Sequence, residues 1–251
     1  MRIAVVSPHR DDAAFALALA VGSWIEMGHK VSVLNCFSRS EEAPFSDADS
    51  VHANDRMSFV TALLGREDER WRRQYGSALT LVDLNMKDAP LRLHCSADEV
   101  YGLTVNPNDK GLTKIQKAIE RVNPGAVVLP LGLGGHIDHM TARQAAVGMA
   151  ATTLPCAFYE DMPFALGLET IDEQVRELGR ELKIGLASVF ASESADVTAA
   201  VARKRRAILC YDSQIDNATV EKIADSCKPY EGRERLWANV AWAESSLALT
   251  V

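Results

Sequence analysis

The sequence predicts an α/β fold, in which a mostly parallel sheet carries helices on both faces. Through residues 1–160, short apolar runs typical of strands alternate with longer helical patterns. The segments between successive strands are long enough for the crossovers that parallel pairing requires. The chain has 251 residues and a hydrophobic content of 47%, so it can cover both faces of such a sheet within one domain.

The predicted elements of this region follow in chain order. Arg2–Val6 is an apolar strand, and the alanine-rich helix Asp12–Met27 ends near Gly28. Gly65 is expected to stop the second helix, because glycine favours helix ends. The other predicted elements are the strands Lys30–Phe37, Leu79–Leu84, Ala126–Leu131 and Cys156–Tyr159 and the helices Asp49–Leu64, Thr113–Val122 and His139–Ala151. This alternation is typical of a Rossmann-like sheet.

Beyond residue 160 the alternation weakens, and the expected organisation is one domain in which 161–251 packs on the core formed by 1–160. The tail, Glu234–Val251, is apolar and contains two tryptophans. It forms either core or the interface of a homo-oligomer, and core is the favoured interpretation. The elements predicted in this region are a strand at Leu182–Phe190 and helices at Thr198–Cys210 and Thr219–Cys227.

Composition excludes several classes of protein. The net charge is −7 without a basic stripe, which argues against nucleic acid as the main partner. The basic runs Arg70–Arg73 and Arg203–Arg206 are interpreted as a solvated helix end and the polar face of a helix. The five cysteines form no CxxC pair, which indicates reduced thiols. No signal pattern and no apolar stretch near the roughly 20 residues of a membrane span are present, so a soluble cytoplasmic protein is predicted.

The stretch SPHRDD, residues 7–12, places charged side chains between two segments that are expected to be buried. Desolvating such charges is costly unless they are paired or bind a metal. In open parallel sheets ligands bind at the carboxyl ends of strands, and His9, Asp11 and Asp12 directly follow the first strand. On this stretch alone, a helix cap formed by one of the aspartates is an equally good interpretation.

A second junction favours a metal site. Residues 129–139, LPLGLGGHIDH, run from an apolar strand through glycines, which allow close backbone approach, to His136, Asp138 and His139. Two histidines and one carboxylate are a common ligand set for catalytic zinc. The two junctions leave further carboxylates and an imidazole for acid–base chemistry. The residues therefore predict metal-assisted hydrolysis, although not the reaction class.

In order and setting, the two motifs resemble those of the PIG-L family, also called LmbE-like, of zinc-dependent N-acetylglucosamine deacetylases. The family's His-Pro-Asp-Asp-Glu motif appears as residues 9–13, His-Arg-Asp-Asp-Ala, and its His-x-Asp-His motif as residues 136–139, His-Ile-Asp-His. The likeness covers most of residues 1–215. Further similar segments are the loop 82–92 with Asp88, the helix with Arg56 ahead of 62–65, and the stretches 159–163 and 204–214.

The resemblance implies a metal centre and its acid–base groups. His9, Asp12 and His139 would hold zinc, or another divalent ion, since affinity order alone does not decide occupancy. Asp11 would be the general base that activates water. His136 would stabilise the oxyanion or protonate the leaving amine. The products would be acetate and a free amine, released from a small-molecule or glycan substrate.

Three further positions match the family, and two depart from it. Asp138 would orient a histidine, and Asp88 and Arg56 would contact the sugar. Arg10 stands in place of the motif's proline and Ala13 in place of its glutamate. Arg10 is expected to turn to solvent, which is the favoured interpretation, or to bind an anionic substrate. The loss of the glutamate is expected to alter the packing of the first helix or the orientation of the substrate.

Three functions remain open from the sequence. The leading hypothesis is a zinc-dependent N-deacetylase that acts on an N-acetylglucosamine-containing small molecule or glycoconjugate. A metal-dependent phosphoesterase is the alternative reaction class, because histidines and aspartates at strand ends also build two-metal phosphate sites, although these need bridging carboxylates. A sugar-binding protein with a degenerate site is the non-enzyme alternative, and Ala13 is its only support.

Overall fold

Seven strands form one mixed sheet in the computed structural model, which describes residues 1–191 and 196–247. The strands are β1 (Arg2–Ser7), β2 (Lys30–Asn35), β3 (Leu79–Asp83), β4 (Ala126–Pro130), β5 (Cys156–Tyr159), β6 (Ala187–Phe190) and β7 (Arg235–Ala238). Their order is β3-β2-β1-β4-β5-β7-β6. The first five of these pair in parallel, and β7 is antiparallel to both of its neighbours. The predicted mostly parallel α/β sheet is confirmed.

Helices cover both faces of this sheet. They are α1 (Asp12–Glu26), α2 (Ala53–Arg72), α3 (Ala89–Leu93), α4 (Lys110–Val122), α5 (Ile137–Ala146), α6 (Ile171–Leu182), α7 (Val197–Ile208), α8 (Asn217–Asp225) and α9 (Val240–Ala243). Val5 packs in the apolar cluster of α1, α7 and α8, whereas Val6 packs in that of α4, α5 and α6. Because successive side chains of a strand point to opposite faces, β1 is buried on both sides, as its continuous apolar run predicts.

The centre of the sheet positions the candidate site. β2 and then β3 lie on one side of β1 in the sheet, whereas β4 pairs with β1 on its other side. Such a reversal is a topological switch point, where ligands bind in the crevice outside the carboxyl ends of the strands. The loops that follow β1 and β4 therefore bring the two polar junctions of the sequence to the same crevice.

Several helices differ from the sequence prediction, among them α3, which begins in the expected loop 82–92, and α2 and α6. α2 runs through Gly65, because Trp71 beyond it is fully buried and its packing outweighs the cost of about 1 kcal/mol that an interior glycine imposes. α6 occupies a segment for which no helix is predicted, and Val175 and Leu178 form part of its buried face. The strand predicted at Leu182–Phe190 is shorter in the structure, where β6 begins at Ala187.

The basic run around residue 204 contains a buried lysine. Lys204 is fully buried and pairs with Glu234, whose other oxygen accepts hydrogen bonds from the N–H groups of Leu19 (3.1 Å) and Ala20 (2.9 Å). These groups lie just after Leu17, where α1 leaves helical backbone geometry. The interpretation of this run as a polar helix face is therefore wrong for Lys204, which ties α7 to the segment before β7.

The described part of the tail belongs to the core. Trp237 is 8% exposed, and Trp242 and Leu247 are fully buried, whereas residues 248–251 lie outside the described part of the chain. All five cysteines are free thiols, as predicted. Across the described ranges, no helix combines the length and the apolar character that crossing a bilayer requires.

Candidate active site

The loops after β1 and β4 bring two histidines and an aspartate together. Ligand atoms of His9, Asp12 and His139 all lie within 4.8 Å of one another, a spacing that a single divalent cation can span. His9, His136 and Asp138 form a second group by the same measure, and the two groups share His9. The residues predicted to bind a metal therefore lie close together at the carboxyl ends of the central strands β1 and β4.

His9 presents its two ring nitrogens to different carboxylates. Nδ1 lies 3.4 Å from Asp12 Oδ2, and Nε2 lies 3.2 Å from Asp138 Oδ2. The backbone N–H of His9 also donates to Asp12 Oδ2 at 2.6 Å, which fixes the loop around the ring. Burial lowers the pKa of His9, but hydrogen bonds to both aspartates outweigh burial and hold this pKa well above its ordinary value. The space between His9 and Asp12 therefore favours positive charge.

His139 repeats this arrangement from the other loop. Its Nδ1 lies 2.6 Å from Asp161 Oδ1, and its Nε2 lies 3.5 Å from Asp12 Oδ1. Asp161 is fully buried, and its other oxygen accepts hydrogen bonds from the N–H groups of Gly132 (2.7 Å) and Leu133 (3.0 Å). A metal-ligating histidine usually gives one nitrogen to such a carboxylate and turns the other to the ion. Two imidazoles and one carboxylate arranged in this way fit a divalent cation such as zinc.

Asp138 lies behind the site and supports it. It is fully buried, and its oxygens accept hydrogen bonds from the N–H of Ala89 (2.7 Å) and from Arg92 Nη2 (2.6 Å). Arg92 also pairs with Asp109 at the start of α4. Burial raises the pKa of Asp138, but His9 and Arg92 outweigh burial and lower it overall. An ionised Asp138 held in this way can orient the His9 ring.

Asp11 and His136 border the cleft in front of these ligands. Burial and the negative charge of Asp12 raise the pKa of Asp11 to about 6. Burial and two neighbouring histidines lower the pKa of His136 to about 3, so its imidazole is neutral near pH 7. His136 Nδ1 accepts a hydrogen bond from the N–H of Asp138 at 3.1 Å, which assigns the ring proton to Nε2. Both side chains can therefore exchange protons or hydrogen bonds with a molecule in the cleft.

The glycines of the second junction are required by its backbone. Gly132 and Gly134 have φ angles of +77° and +78°, which other residues adopt rarely. A Cβ on Gly134 would lie 2.6 Å from Cδ1 of Phe164. The Phe164 ring packs edge-on against His139, with 5.7 Å between the ring centroids. Gly134 therefore leaves the room that this aromatic support of His139 needs.

Two cavities open from the same centre. One has a volume of about 180 Å³ and extends past Glu42 and Asp88, and the other has about 400 Å³ and extends past Phe45 and Phe164. Asp88, a predicted sugar contact, is 4% exposed, and burial raises its pKa. The residues that border both cavities are His9, Asp11, Tyr101, His136 and Gln214.

Arg10 borders the smaller cavity and is buried rather than turned to solvent. Its side chain is 6% exposed and donates to Ser38 O (3.2 Å), to Asp68 and to Asp83 (2.7 Å). Asp68 also accepts a hydrogen bond from the Tyr211 hydroxyl at 2.8 Å. The expectation of a solvent-facing Arg10 is wrong, because carboxylates from α2 and β3 compensate its buried charge. These three contacts give Arg10 a structural role, and its contact with an anionic substrate stays a prediction.

Arg56, the other arginine expected near the sugar, is not among the residues that border either cavity. Its nearest ion-pair partner is the exposed Asp49, at 3.6 Å. Sequence reasoning also missed Asp161 and Arg92. Asp161 had a usable signal, since it follows β5 in the same strand-end position that pointed to His9. Arg92 had none, because its carboxylate partners lie in other elements.

Comparison with known proteins places these motifs in a family. The family model described as PIG-L, GlcNAc-PI de-N-acetylase, matches residues 4–150, more than half of the chain. The chain belongs to the PIG-L family. A curated relative, the 2'-N-acetylparomamine deacetylase of Streptomyces fradiae, is 29% identical over 240 residues, which cover 94% of this chain and 81% of the relative.

Solved structures share the fold of this PIG-L chain over almost its whole length. A deacetylase from the biosynthesis pathway of teicoplanin has a TM-score of 0.69 at 21% identity, with 96% of this chain and 98% of that chain covered. The zinc-inhibited form of teicoplanin deacetylase Orf2 has a TM-score of 0.68 at 19% identity, with the same coverage of 96% and 98%. The shared fold thus extends well beyond the residues that the PIG-L family model matches.

Proposed function

We propose that this protein is a metal-dependent N-deacetylase that removes the acetyl group from an N-acetylglucosamine-type sugar or glycoconjugate. The observation that carries the proposal is the pair of carboxylate-bound histidines whose second nitrogens both face Asp12. Membership of the PIG-L family supports the reaction. The relative named 2'-N-acetylparomamine deacetylase supports an N-acetylated amino sugar as substrate.

The metal centre is assigned to His9, Asp12 and His139, whose donor atoms suit zinc and are shared by other divalent ions. When bound, such an ion supplies a water of lowered pKa and polarises the amide carbonyl. Asp138 and Asp161 hold the two imidazoles in the orientation that leaves one nitrogen of each free for the ion. The protein thereby fixes the geometry of the centre before substrate arrives.

Asp11 acts as the general base in this proposal. It borders the space in front of the ligands and takes a proton from the attacking water as the oxygen adds to the carbonyl carbon. Asp11 holds that proton until the carbon–nitrogen bond breaks. Asp11 then returns the proton to the leaving nitrogen, so the products are acetate and a free amine.

His136 stabilises the charge that develops on the carbonyl oxygen. Because its pKa is lowered to about 3, the ring is neutral and donates a hydrogen bond from Nε2 rather than a proton. Of the two roles implied for His136, stabilisation of the oxyanion is therefore the one that its environment favours. Asp88, which borders the smaller cavity, is assigned to a contact with the substrate sugar.

Release of acetate and amine from N-acetylglucosamine and from 2'-N-acetylparomamine tests the proposal. The protein is stripped with a chelator and then loaded with zinc or manganese. We expect no turnover without the ion and recovery when it is restored. His139→Ala should not recover, because a ligand is lost, whereas the matched variant His52→Ala, outside both candidate metal groups, should behave as wild type. Sugar binding without acetate release from the loaded protein would contradict the proposal and identify a binding protein.

A further inference from the structure

The lining of the smaller cavity includes two carboxylates that form an acidic wall. Glu42 and Asp88 border this cavity together with His9 and His136. Asp88 is 4% exposed and caps α3, where Oδ1 accepts the N–H of Leu91 at 3.3 Å. Neither residue belongs to a candidate metal group within the described ranges. Two carboxylates therefore face the substrate space without a role in holding the ion.

The backbone of Glu42 is fixed on both sides, while its side chain is free. The N–H of Glu42 donates to Ser40 Oγ at 2.9 Å, and its carbonyl oxygen accepts from Gln214 Nε2 at 3.2 Å. Within residues 1–191 and 196–247, no hydrogen bond or ion pair involves its carboxylate. Glu42 is thus held at the cavity wall with an uncommitted negative charge.

The arginines near this wall do not neutralise it. Arg10 is committed to Asp68 and Asp83, and Arg92 to Asp109 and Asp138. Burial and the charges of three acidic neighbours raise the pKa of Glu42, and Arg56 offsets this only in part. A neutral sugar would leave the negative potential of the wall uncompensated, whereas a cation would be attracted to it.

We propose that Glu42, together with Asp88, binds a second, unacetylated amine of the substrate in its ammonium form. This inference rests on the proposed N-deacetylase function and narrows its substrate class to amino sugars that carry a free amine beside the acetamido group. The ammonium group donates hydrogen bonds to the two carboxylates, and it sets which sugar enters the cavity. Glu42 therefore determines specificity and takes no part in bond cleavage.

Two pairs of probes test this inference. 2-Acetamido-6-amino-2,6-dideoxyglucose is compared with N-acetylglucosamine, and the 2-aminoethyl glycoside of N-acetylglucosamine with its 2-hydroxyethyl glycoside. Hydrogen bonds to charged groups contribute about 1.5–3 kcal/mol, so kcat/KM for at least one amino probe should exceed that of its hydroxyl counterpart by about tenfold or more, mainly through KM. The preference should fall at high ionic strength.

Glu42→Gln keeps the shape of the side chain and removes its charge. We expect it to abolish most of the preference for the amino probe, while turnover of the hydroxyl probe stays within about twofold. Glu41→Gln is the matched control, because it removes the same charge one residue away and Glu41 does not border the cavity. Equal turnover of both members of each pair by wild type, or an unchanged preference in Glu42→Gln, would overturn the inference.

The binding of the same probes is measured by calorimetry on the metal-loaded protein. If wild type cleaves no probe, the proposed function fails, and calorimetry still decides the ammonium site through the difference between amino and hydroxyl probes in wild type and Glu42→Gln. If wild type cleaves all probes without preference, the N-deacetylase function stands and the ammonium site fails. The two proposals are thus separable.

Discussion

At the scale of single residues, Asp12 organises the candidate site. Its two oxygens face different histidines, with Oδ2 3.4 Å from His9 Nδ1 and Oδ1 3.5 Å from His139 Nε2. Burial raises the pKa of Asp12, but the two histidines outweigh burial and hold it below its ordinary value. An ionised carboxylate between two imidazoles is an arrangement that a divalent cation completes.

The strand-end rule pointed to the two junctions in the sequence, and the resemblance to the PIG-L family singled out His9, Asp12 and His139 as the expected ligands. His9 and Asp12 follow β1, and His139 follows β4, so their meeting depends only on the two strands being neighbours. The environment of Arg10 could not be found in this way. Its partners Asp68 and Asp83 are 58 and 73 residues away, on elements whose packing no local pattern specifies.

Asp11→Asn separates base chemistry from metal binding. We expect the variant to keep its metal, because Asp11 is outside the group formed by His9, Asp12 and His139. Turnover should fall by about 10²–10⁴-fold, the usual contribution of a general base. Metal analysis and acetate release on the same sample check this. Asp12→Asn is the matched comparison and should lose both properties, and an Asp11→Asn variant with wild-type turnover would show that the base is misassigned.

Asp161→Asn tests the support of His139. The amide would turn an N–H toward His139 Nδ1, which shifts the ring proton to Nε2 and blocks the nitrogen that faces Asp12. Metal affinity should fall by about 10–100-fold in a competition titration with a chelating dye. Asp172→Asn, whose carboxylate is 64% exposed, is the control. An unchanged affinity in Asp161→Asn would remove Asp161 from the site.

At the scale of elements, the loop between β1 and α1 is held by the buried Arg10. Its guanidinium joins the loop to the segment after β2, to α2 and to β3 through Ser38, Asp68 and Asp83. The residue stands between His9 and Asp11, so the same contacts fix the backbone that carries them. Arg10, which stands in place of the family's proline, therefore stabilises this loop through its contacts with neighbouring elements.

Arg10→Met should destabilise the protein by about 3–5 kcal/mol, because it leaves Asp68 buried without its partner. Urea unfolding of the metal-free protein measures this cost. Arg73→Met removes an arginine whose side chain is 73% exposed, and it should change stability by no more than about 0.5 kcal/mol. Adding Asp68→Asn to Arg10→Met should recover part of the loss. A cost below about 1 kcal/mol for Arg10→Met would contradict this account of the loop.

Element boundaries show where sequence patterns are sufficient and where packing decides. β5 spans Cys156–Tyr159, as predicted, because its residues are buried on both faces and leave an uninterrupted apolar run. α2 continues past Gly65, because the buried Trp71 and Glu67 anchor its second half. The contact of Glu67 is with Ser213, which lies 146 residues further along the chain. Such a distant partner leaves no local signal.

At the scale of the whole molecule, the C-terminal region completes the sheet that carries the site. β7 pairs with β5 and β6, and its approach is fixed by the buried pair of Lys204 and Glu234. The antiparallel pairing and this ion pair depend on contacts between distant segments. The weak alternation of strand and helix patterns beyond residue 160 therefore did not predict them. Ala13, in place of the motif's glutamate, is fully buried in the core cluster of α1, and with this residue in place His9, Asp12 and His139 still form a group that could hold a metal ion.

Metal removal should lower the stability of the whole domain. An ion that binds only the folded state at 100 times its Kd contributes about 2.7 kcal/mol, which corresponds to a rise in Tm of about 5–10 °C for a chain of this size. Thermal unfolding with chelator and with zinc measures the difference. Asp12→Asn should show no such rise. A wild-type Tm that is indifferent to the ion would mean that the folded protein does not bind it.

Anomalous diffraction from crystals of the zinc-loaded protein, combined with metal analysis in solution, tests the central claim most directly. We predict one ion per chain, bonded at about 2.0–2.2 Å to a nitrogen of His9, an oxygen of Asp12 and a nitrogen of His139. Two ions per chain about 3.5–4 Å apart would favour the phosphoesterase instead. An ion bound elsewhere, or none at this position at saturating zinc, would contradict the account.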